Sequence, residues 1–214
     1  MADTATILPA QLHHRNYTLI HAPTQLHRLG MAPRFEQRWR QAHSQILGLA
    51  DQCHRLAVNG LTVYQGGSNP GEFQIHQNVN MANLESLMAT APLPEQLTLA
   101  PILQTVLDRY FAEKATGQQP KNGEIIIILI DHEPTDRLAI AKQIVAASQK
   151  LDHNDELGIG WLQVGDDYIT KGFLATLDDN LRQKGAKFDI VDHKPIQQIS
   201  ASEPTRFLMD VLKD

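Results

Sequence analysis

The run Asp131-His132-Glu133 contains the residue types in this sequence that are best suited to acid–base chemistry. It follows Glu124–Ile130, where five isoleucines and a leucine predict a strand buried on both faces of a parallel sheet. Enzymes of the α/β class place catalytic groups at the carboxyl ends of such strands. No nucleophile accompanies the run, because Gly-x-Ser-x-Gly is absent and the single cysteine, Cys53, lies in a predicted helix. An enzyme that uses His21, Asp131 and His132 therefore stays an alternative hypothesis.

The ten histidines suggest a second kind of chemistry, the binding of a transition metal. His13, His14, His21 and His27 lie near one end of the chain, and His132 is expected close to the loop after the first strand. No pair has the short, fixed spacing of a zinc motif on one predicted element, and only one cysteine is present. We therefore predict neither a metal ion nor another cofactor, although a metal held by unusual ligands stays an alternative.

Two glycine-containing runs resemble nucleotide-binding motifs only superficially. The run from Gly66 to Gly71 lacks the Lys-Ser/Thr pair of a phosphate loop and precedes a predicted strand, so it predicts a hairpin turn. Gly158-Ile159-Gly160 lies within a predicted strand and no helix follows it directly, so it predicts close packing rather than dinucleotide binding.

Composition places the chain among globular proteins with one sizeable core. The 214 residues are 42% hydrophobic and 20% charged, and no linker divides them. A net charge of -5 gives no reason to expect nucleic acid as a partner. A single cysteine, no signal-peptide pattern and no apolar run of membrane-spanning length predict a cytoplasmic protein. We expect an N-terminal extension over residues 1–15 and one domain over residues 16–214.

The elements that would position the chemical groups alternate between strand and helix. Strands are predicted over 17–20, 61–64, 73–75, 124–130, 158–164 and 187–191, and helices over 34–56, 83–89, 98–114, 134–150, 170–183 and 206–212. This order predicts an α/β fold with a doubly wound, mostly parallel six-stranded sheet, helices on both faces and one antiparallel edge strand. In such a Rossmann-like sheet the loops after the strands converge on one crevice.

Several segments keep the order and spacing of a known family from Asn16 to Ile190. They are Tyr17-Thr18-Leu19-Ile20, Asn59-Gly60-Leu61-Thr62-Val63-Tyr64, Leu99-Ala100-Pro101-Ile102-Leu103-Gln104, Asn122-Gly123-Glu124, Asp131-His132-Glu133-Pro134-Thr135-Asp136, Leu157-Gly158-Ile159, Gln163-Val164-Gly165 and Gly185-Ala186-Lys187-Phe188-Asp189-Ile190. Together they resemble the bacterial, and especially the cyanobacterial, form of the von Willebrand factor A (VWA) domain. The resemblance implies a VWA fold and a function in binding other proteins.

The resemblance also implies a degenerate metal-ion-dependent adhesion site. The family binds Mg²⁺ through an Asp-x-Ser-x-Ser run, a threonine and the aspartate of an Asp-Gly pair. The matching positions here are His21, Pro23 and Gln25, then Leu97 or its neighbour Gln96, and finally Asp131 followed by His132. Only Asp131 supplies a family ligand, and one carboxylate should hold Mg²⁺ poorly. An imidazolium of His21 paired with the Asp131 carboxylate is our hypothesis for what replaces the ion.

The segment from His21 to Trp39 is apolar and locally basic within an acidic protein. Arginine and aromatic residues are favoured at the centres of interfaces, although a loop packed on its own domain is the alternative. Leu93, Pro94 and Leu97 are expected on the same rim. The candidate partner-binding residues are Leu26, Leu29, Met31, Arg34, Leu97 and His132. We predict a non-enzymatic protein–protein interaction or scaffold module without metal, and peripheral association with a membrane complex stays open.

Overall fold

The computed structural model describes residues 9–25, 32–200 and 203–213, and for residues 32–38 and 41 it describes the backbone alone. The described strands are β1 (Arg15–Ala22), β2 (Ala57–Gly66), β3 (Phe73–Val79), β4 (Glu124–Ile130), β5 (Leu157–Gln163) and β6 (Val191–Pro195). The described α-helices are α1 (Ala32–Leu56), α2 (Met81–Ala89), α3 (Ala100–Thr116), α4 (Arg137–Gln149), α5 (Tyr168–Asn180) and α6 (Pro204–Asp210). Short 3₁₀ turns cover Ala10–Leu12 and Ile196–Gln198.

The six strands form one sheet in the order β3-β2-β1-β4-β5-β6. All neighbours are parallel except β2 and β3, which form an antiparallel hairpin at one edge. The predicted fold class is therefore confirmed. The strand order reverses between β1 and β4, where Ala22 pairs with Ile130, and this switch point is where ligands bind in many open α/β sheets.

Side chains of β4 alternate between two cores because successive residues of a strand point to opposite faces. Ile126, Ile128 and Ile130 pack into the cluster that includes residues of α3, α4 and α5. Ile125, Ile127 and Leu129 pack into the cluster that includes residues of α1 and α6. Burial on both faces explains why β4 is a continuous apolar run, and its predicted bounds are confirmed.

Close packing explains the glycine pair in β5. A Cβ atom at Gly158 would lie 2.6 Å from Cγ1 of Val211, and one at Gly160 would lie 2.6 Å from Cζ of Phe207. The two glycines let α6 and the turn after it approach the sheet, so their role is structural. Cys53 is also structural, since its thiol is buried in α1 and burial raises the pKa of that thiol.

Several predicted boundaries differ from the structure. β6 begins at Val191 instead of residue 187, because pairing with β5 starts only where Ile190 and Val191 reach the core. β2 begins at Ala57 instead of residue 61, and within it Gly60 has a positive φ of 75° beside Asn78. The expected boundary after residue 15 falls inside β1, and Leu12 already contributes to the core.

A buried ion pair joins the sheet to α3 at the opposite end from the β4 carboxyl terminus. Glu124 is inaccessible to solvent, and its Oε1 accepts hydrogen bonds from Nη2 of Arg109 (2.5 Å) and Oγ1 of Thr18 (2.6 Å). Burial raises the pKa of Glu124, and the charge of Arg109 opposes that rise. This group fixes α3 against β1 and β4, so it has a structural role.

Candidate functional site

Loops gather at the carboxyl ends of the parallel strands, and we call them the crown. The crown comprises the described residues 23–25 after β1, 90–99 before α3, 131–136 after β4 and 164–167 after β5. Backbone hydrogen bonds tie the loops together: the N–H of Gln25 donates to the carbonyl of Pro94 (2.9 Å), and that of Thr135 donates to Leu97 (2.8 Å). The crown is therefore one connected layer above the switch point.

Asp131 lies at the centre of the crown, directly after β4, and only 3% of it is exposed. Its Oδ1 accepts a hydrogen bond from the hydroxyl of Thr24 at 3.0 Å. Its Oδ2 accepts from the backbone N–H of Thr24 at 3.2 Å and from the indole N–H of Trp39 at 3.0 Å. Both carboxylate oxygens of Asp131 therefore accept hydrogen bonds from the protein.

His132 extends this network by one side chain. Its Nδ1 lies 3.1 Å from the Thr24 hydroxyl oxygen and 3.4 Å from Oδ1 of Asp131. A threonine hydroxyl carries a single proton, so donation to Asp131 leaves its oxygen to accept a proton carried by Nδ1 of His132. Only 11% of the His132 side chain is exposed, so this candidate partner-binding residue mainly serves the network.

His21, which the sequence resemblance matched to the first aspartate of the family motif, does not form the predicted ion pair. The residue is buried, and burial lowers the pKa of its imidazole to about 4, although the charge of Asp131 acts in the opposite direction. The ring is therefore neutral at neutral pH, and the hypothesis of an imidazolium–carboxylate pair is wrong. His21 instead packs edge-on against Trp39, with ring centroids 5.4 Å apart. Its Nδ1 has no hydrogen-bond partner among the described residues.

The other positions of the predicted degenerate site differ in burial. Pro23 is buried, whereas the side chain of Gln25 is exposed. Leu97 is only 3% exposed and packs in the core with Ile130, so its inclusion among the partner-binding residues was wrong. An apolar side chain before a helix can face inward as easily as outward, and here Pro94 is buried as well. Leu93, at 47% exposure, is the residue of this rim that reaches solvent.

Asp136 joins two helices that meet at the crown. Its Oδ2 accepts hydrogen bonds from the N–H groups of Leu99 (3.0 Å) and Ala100 (2.7 Å) at the start of α3. A carboxylate at a helix N-terminus satisfies otherwise unpaired N–H groups and interacts favourably with the helix dipole. Asp136 therefore fixes the loop after β4 against α3.

Sequence reasoning identified Asp131 but missed Thr24, Trp39 and Asp136. The family motif predicts ligands at alternate positions, here His21, Pro23 and Gln25. It therefore does not indicate Thr24, whose hydroxyl lies between the last two. Trp39 lies in a predicted helix, and no local pattern there indicates a hydrogen-bond partner for its indole N–H. Leu26, Leu29 and Met31 lie outside the described residues, as does the side chain of Arg34.

A cleft opens beside this network, between α1, the end of α2, the loop after β1 and the loop before α3. Its volume is about 480 Å³, which is within the usual range for ligand sites. The lining combines apolar and aromatic groups with a few polar ones: His21, Pro23, Trp39, Arg40, His43, Met88, Ala89, Ala91 and Leu93. Asp131 and His132 are not part of this lining, so the cleft does not expose the carboxylate.

The hydroxyl of Thr24 is not placed to act as a nucleophile. Thr24 is wholly buried, and its hydroxyl proton is directed to Asp131, so it is not an accessible nucleophile.

Within the described ranges, no group of three or more His, Cys, Asp or Glu side chains is placed to hold a metal ion. None of the described helices is both long and apolar enough to cross a membrane.

No family model matches the sequence, and no curated protein matches it significantly. The structure, however, superimposes on the crystal structure of the manganese-loaded Plasmodium vivax TRAP protein, a VWA-domain protein. The TM-score is 0.56 over 94% of this chain and 74% of that chain. The chain has a VWA-like fold. Sequence identity is 9%, so the likeness shows the VWA-like fold and not a shared ligand or activity.

Proposed function

We propose that this chain is a non-enzymatic protein-binding module whose VWA-like crown works without a metal ion. The observation that carries the proposal is the saturation of Asp131, whose two oxygens accept three hydrogen bonds from Thr24 and Trp39. A VWA-like fold is compatible with such a role, since the family commonly mediates interactions between proteins.

The donors around Asp131 oppose cation binding for a specific reason. An indole N–H can donate but cannot ligate a metal, and it occupies a place beside Oδ2. Mg²⁺ demands near-octahedral oxygen ligands and gives up its waters reluctantly. At the positions of the family aspartate and serines, the side chains of His21 and Pro23 contain no oxygen that could ligate a metal, and the side chain of Gln25 is exposed. These features support a degenerate adhesion site.

The cleft is the surface that we assign to the partner. It offers Met88 and Leu93 beside the rings of His21 and Trp39, and aromatic residues and methionine are enriched in protein interfaces. His21 is neutral at neutral pH and therefore compatible with an apolar contact. We infer that a partner protein inserts an apolar side chain here, beside the Asp131 network instead of through it.

The test is capture of the partner from the native cell with two variants of the full chain. Leu93→Asp places a charge on the rim of the cleft, where an apolar partner side chain would desolvate it, and we expect it to reduce capture at least about tenfold. Leu138→Asp is the matched control, because Leu138 is 74% exposed on α4 and does not line the cleft. Captured proteins are quantified by mass spectrometry, and circular dichroism verifies folding. Equal capture by the two folded variants would remove the cleft from the proposal.

A further inference from the structure

The two edges of the sheet differ in how they are protected from pairing with another strand. The edge strand β6 contains Asp192, Lys194 and Pro195, and charged residues and proline are the usual means of blocking an edge. The other edge strand, β3, reads Phe-Gln-Ile-His-Gln-Asn-Val and contains no Asp, Glu, Lys, Arg or Pro. The β3 edge therefore lacks the side chains that usually prevent edge-to-edge association.

The outer side of β3 is also open in the described part of the chain. On its inner side β3 pairs with β2, from Gly66 opposite Phe73 to Leu61 opposite Val79. No described strand lies beyond it in the sheet, and no described backbone group outside β2 bonds to residues 73–79. Alternate N–H and C=O groups along this edge consequently face outward in a row.

Residues 73–76 form the regular part of this edge. The register shifts between Leu61 and Val63 on β2, and Asn78 has a positive φ of 51°, so the ladder is irregular at the far end of β3. Within the regular part, the side chain of Gln74 is exposed, and Ile75 is 46% exposed. An uncharged stretch with an exposed isoleucine near its middle is thus left without a covering element among the described residues.

We propose that a second copy of this chain pairs with β3 through this edge. A twofold axis near Ile75 would align the two β3 strands antiparallel, so the same surface serves both copies. Ile75 would face its counterpart, and Gln74 would face His76 of the other copy, with no formal side-chain charges of like sign opposed within the strands. Two six-stranded sheets would thereby become one continuous sheet.

The dimer is weak, because a single pair of short strands buries less than the roughly 1,200 Å² of a standard interface. Its formation does not depend on the crown, which lies at the ends of the strands and not along the edge. Failure of the partner-binding experiment would therefore leave the β3 proposal intact, and the reverse also holds.

The test is sedimentation velocity of the full chain from about 5 to about 500 µM, the range in which a weak interface populates its dimer. We expect the wild type to shift toward dimer as concentration rises. Ile75→Lys places two positive charges opposite each other at the axis and should weaken association about tenfold or more. Leu138→Lys, on α4, is the matched control and should associate like the wild type.

Disulfide crosslinking tests the register directly. Ile75→Cys should form a covalent dimer under mild oxidation, because Cβ atoms of residues opposed across an antiparallel pair can lie within disulfide reach. Cys53 is buried, so the wild type serves as the uncrosslinked control. A wild type that stays monomeric at every concentration would overturn the proposal. A dimer that Ile75→Lys leaves unchanged, or one that Leu138→Lys abolishes, would also overturn it.

Discussion

Asp131, Thr24 and Trp39 determine the chemistry of the crown. Asp131 is buried, and a buried carboxylate is stable only when hydrogen bonds or charges compensate for its lost hydration. Here the compensation comes from neutral hydrogen-bond donors. They are the backbone N–H and hydroxyl of Thr24, in the loop after β1, and the indole N–H of Trp39, in α1. The same aspartate that would serve a metal in the VWA family thus acts as a hydrogen-bond acceptor that holds α1 to the sheet.

His21 makes the stability of the fold depend on pH. Its pKa falls from an ordinary value of 6.5 to about 4 in the folded protein, so the unfolded chain binds more protons between these values. The contribution of the neutral His21 ring to the free energy of unfolding is therefore fully present above about pH 6.5 and is lost as pH falls toward 4. We expect the contribution to be about 2 kcal/mol smaller at pH 5 than at pH 7.5.

Urea unfolding of the wild type and of His21→Gln at both pH values measures this contribution. The variant removes the imidazole, so its free energy of unfolding should fall less between pH 7.5 and pH 5 than that of the wild type. Other titrating groups are common to both proteins and cancel in the comparison. Equal losses in the two proteins would show that His21 is not held neutral by burial.

At the scale of elements, Asp136 shows how loop residues align helices. It directly precedes α4, a position typical of an N-cap residue, yet its carboxylate does not cap that helix and instead accepts the first N–H groups of α3. We expect Asp136→Ala to lower the free energy of unfolding by about 1–2 kcal/mol, as the loss of a helix cap does. Asp136→Asn keeps an acceptor oxygen and should lose less.

Urea denaturation followed by tryptophan fluorescence checks this prediction. Asp179→Ala is the matched control, because Asp179 is an exposed residue of α5. It should change stability by less than about 0.5 kcal/mol. If Asp136→Ala and Asp179→Ala were equally mild, the carboxylate would not stabilise α3.

Elements with a strong local pattern were predictable, and contacts between distant residues were not. The six aliphatic residues of β4 predict both ends of that strand correctly. The start of β6 is predicted too early in the chain, because Phe188 and Ile190 favour a strand when their local sequence is considered alone. Asp131 was found through its place after β4. Its donors lie 107 and 92 residues away in the chain, at Thr24 and Trp39, and no local pattern reveals such pairings.

At the scale of the whole molecule, the VWA-like fold brings the loops after β1 and β4 together at the switch point of the sheet. In this chain the meeting point contains a closed hydrogen-bond network, and a cleft lies beside it. We propose that the molecule recognises its partner at this end while β3 associates with a second copy along the sheet edge. The two surfaces share no residue, because the lining of the cleft contains none from β3.

The claim on which this account depends is that the crown binds its partner without a divalent ion. Titration of the purified chain with Mn²⁺, with the free ion followed by electron paramagnetic resonance, tests it most directly. A VWA domain with a complete metal site is the positive control, and Asp131→Asn is the matched variant. We predict that Mn²⁺ stays free with both the wild type and Asp131→Asn at concentrations up to about 1 mM, because Asp131 is already saturated by donors. Stoichiometric binding by the wild type that Asp131→Asn abolishes would contradict the account.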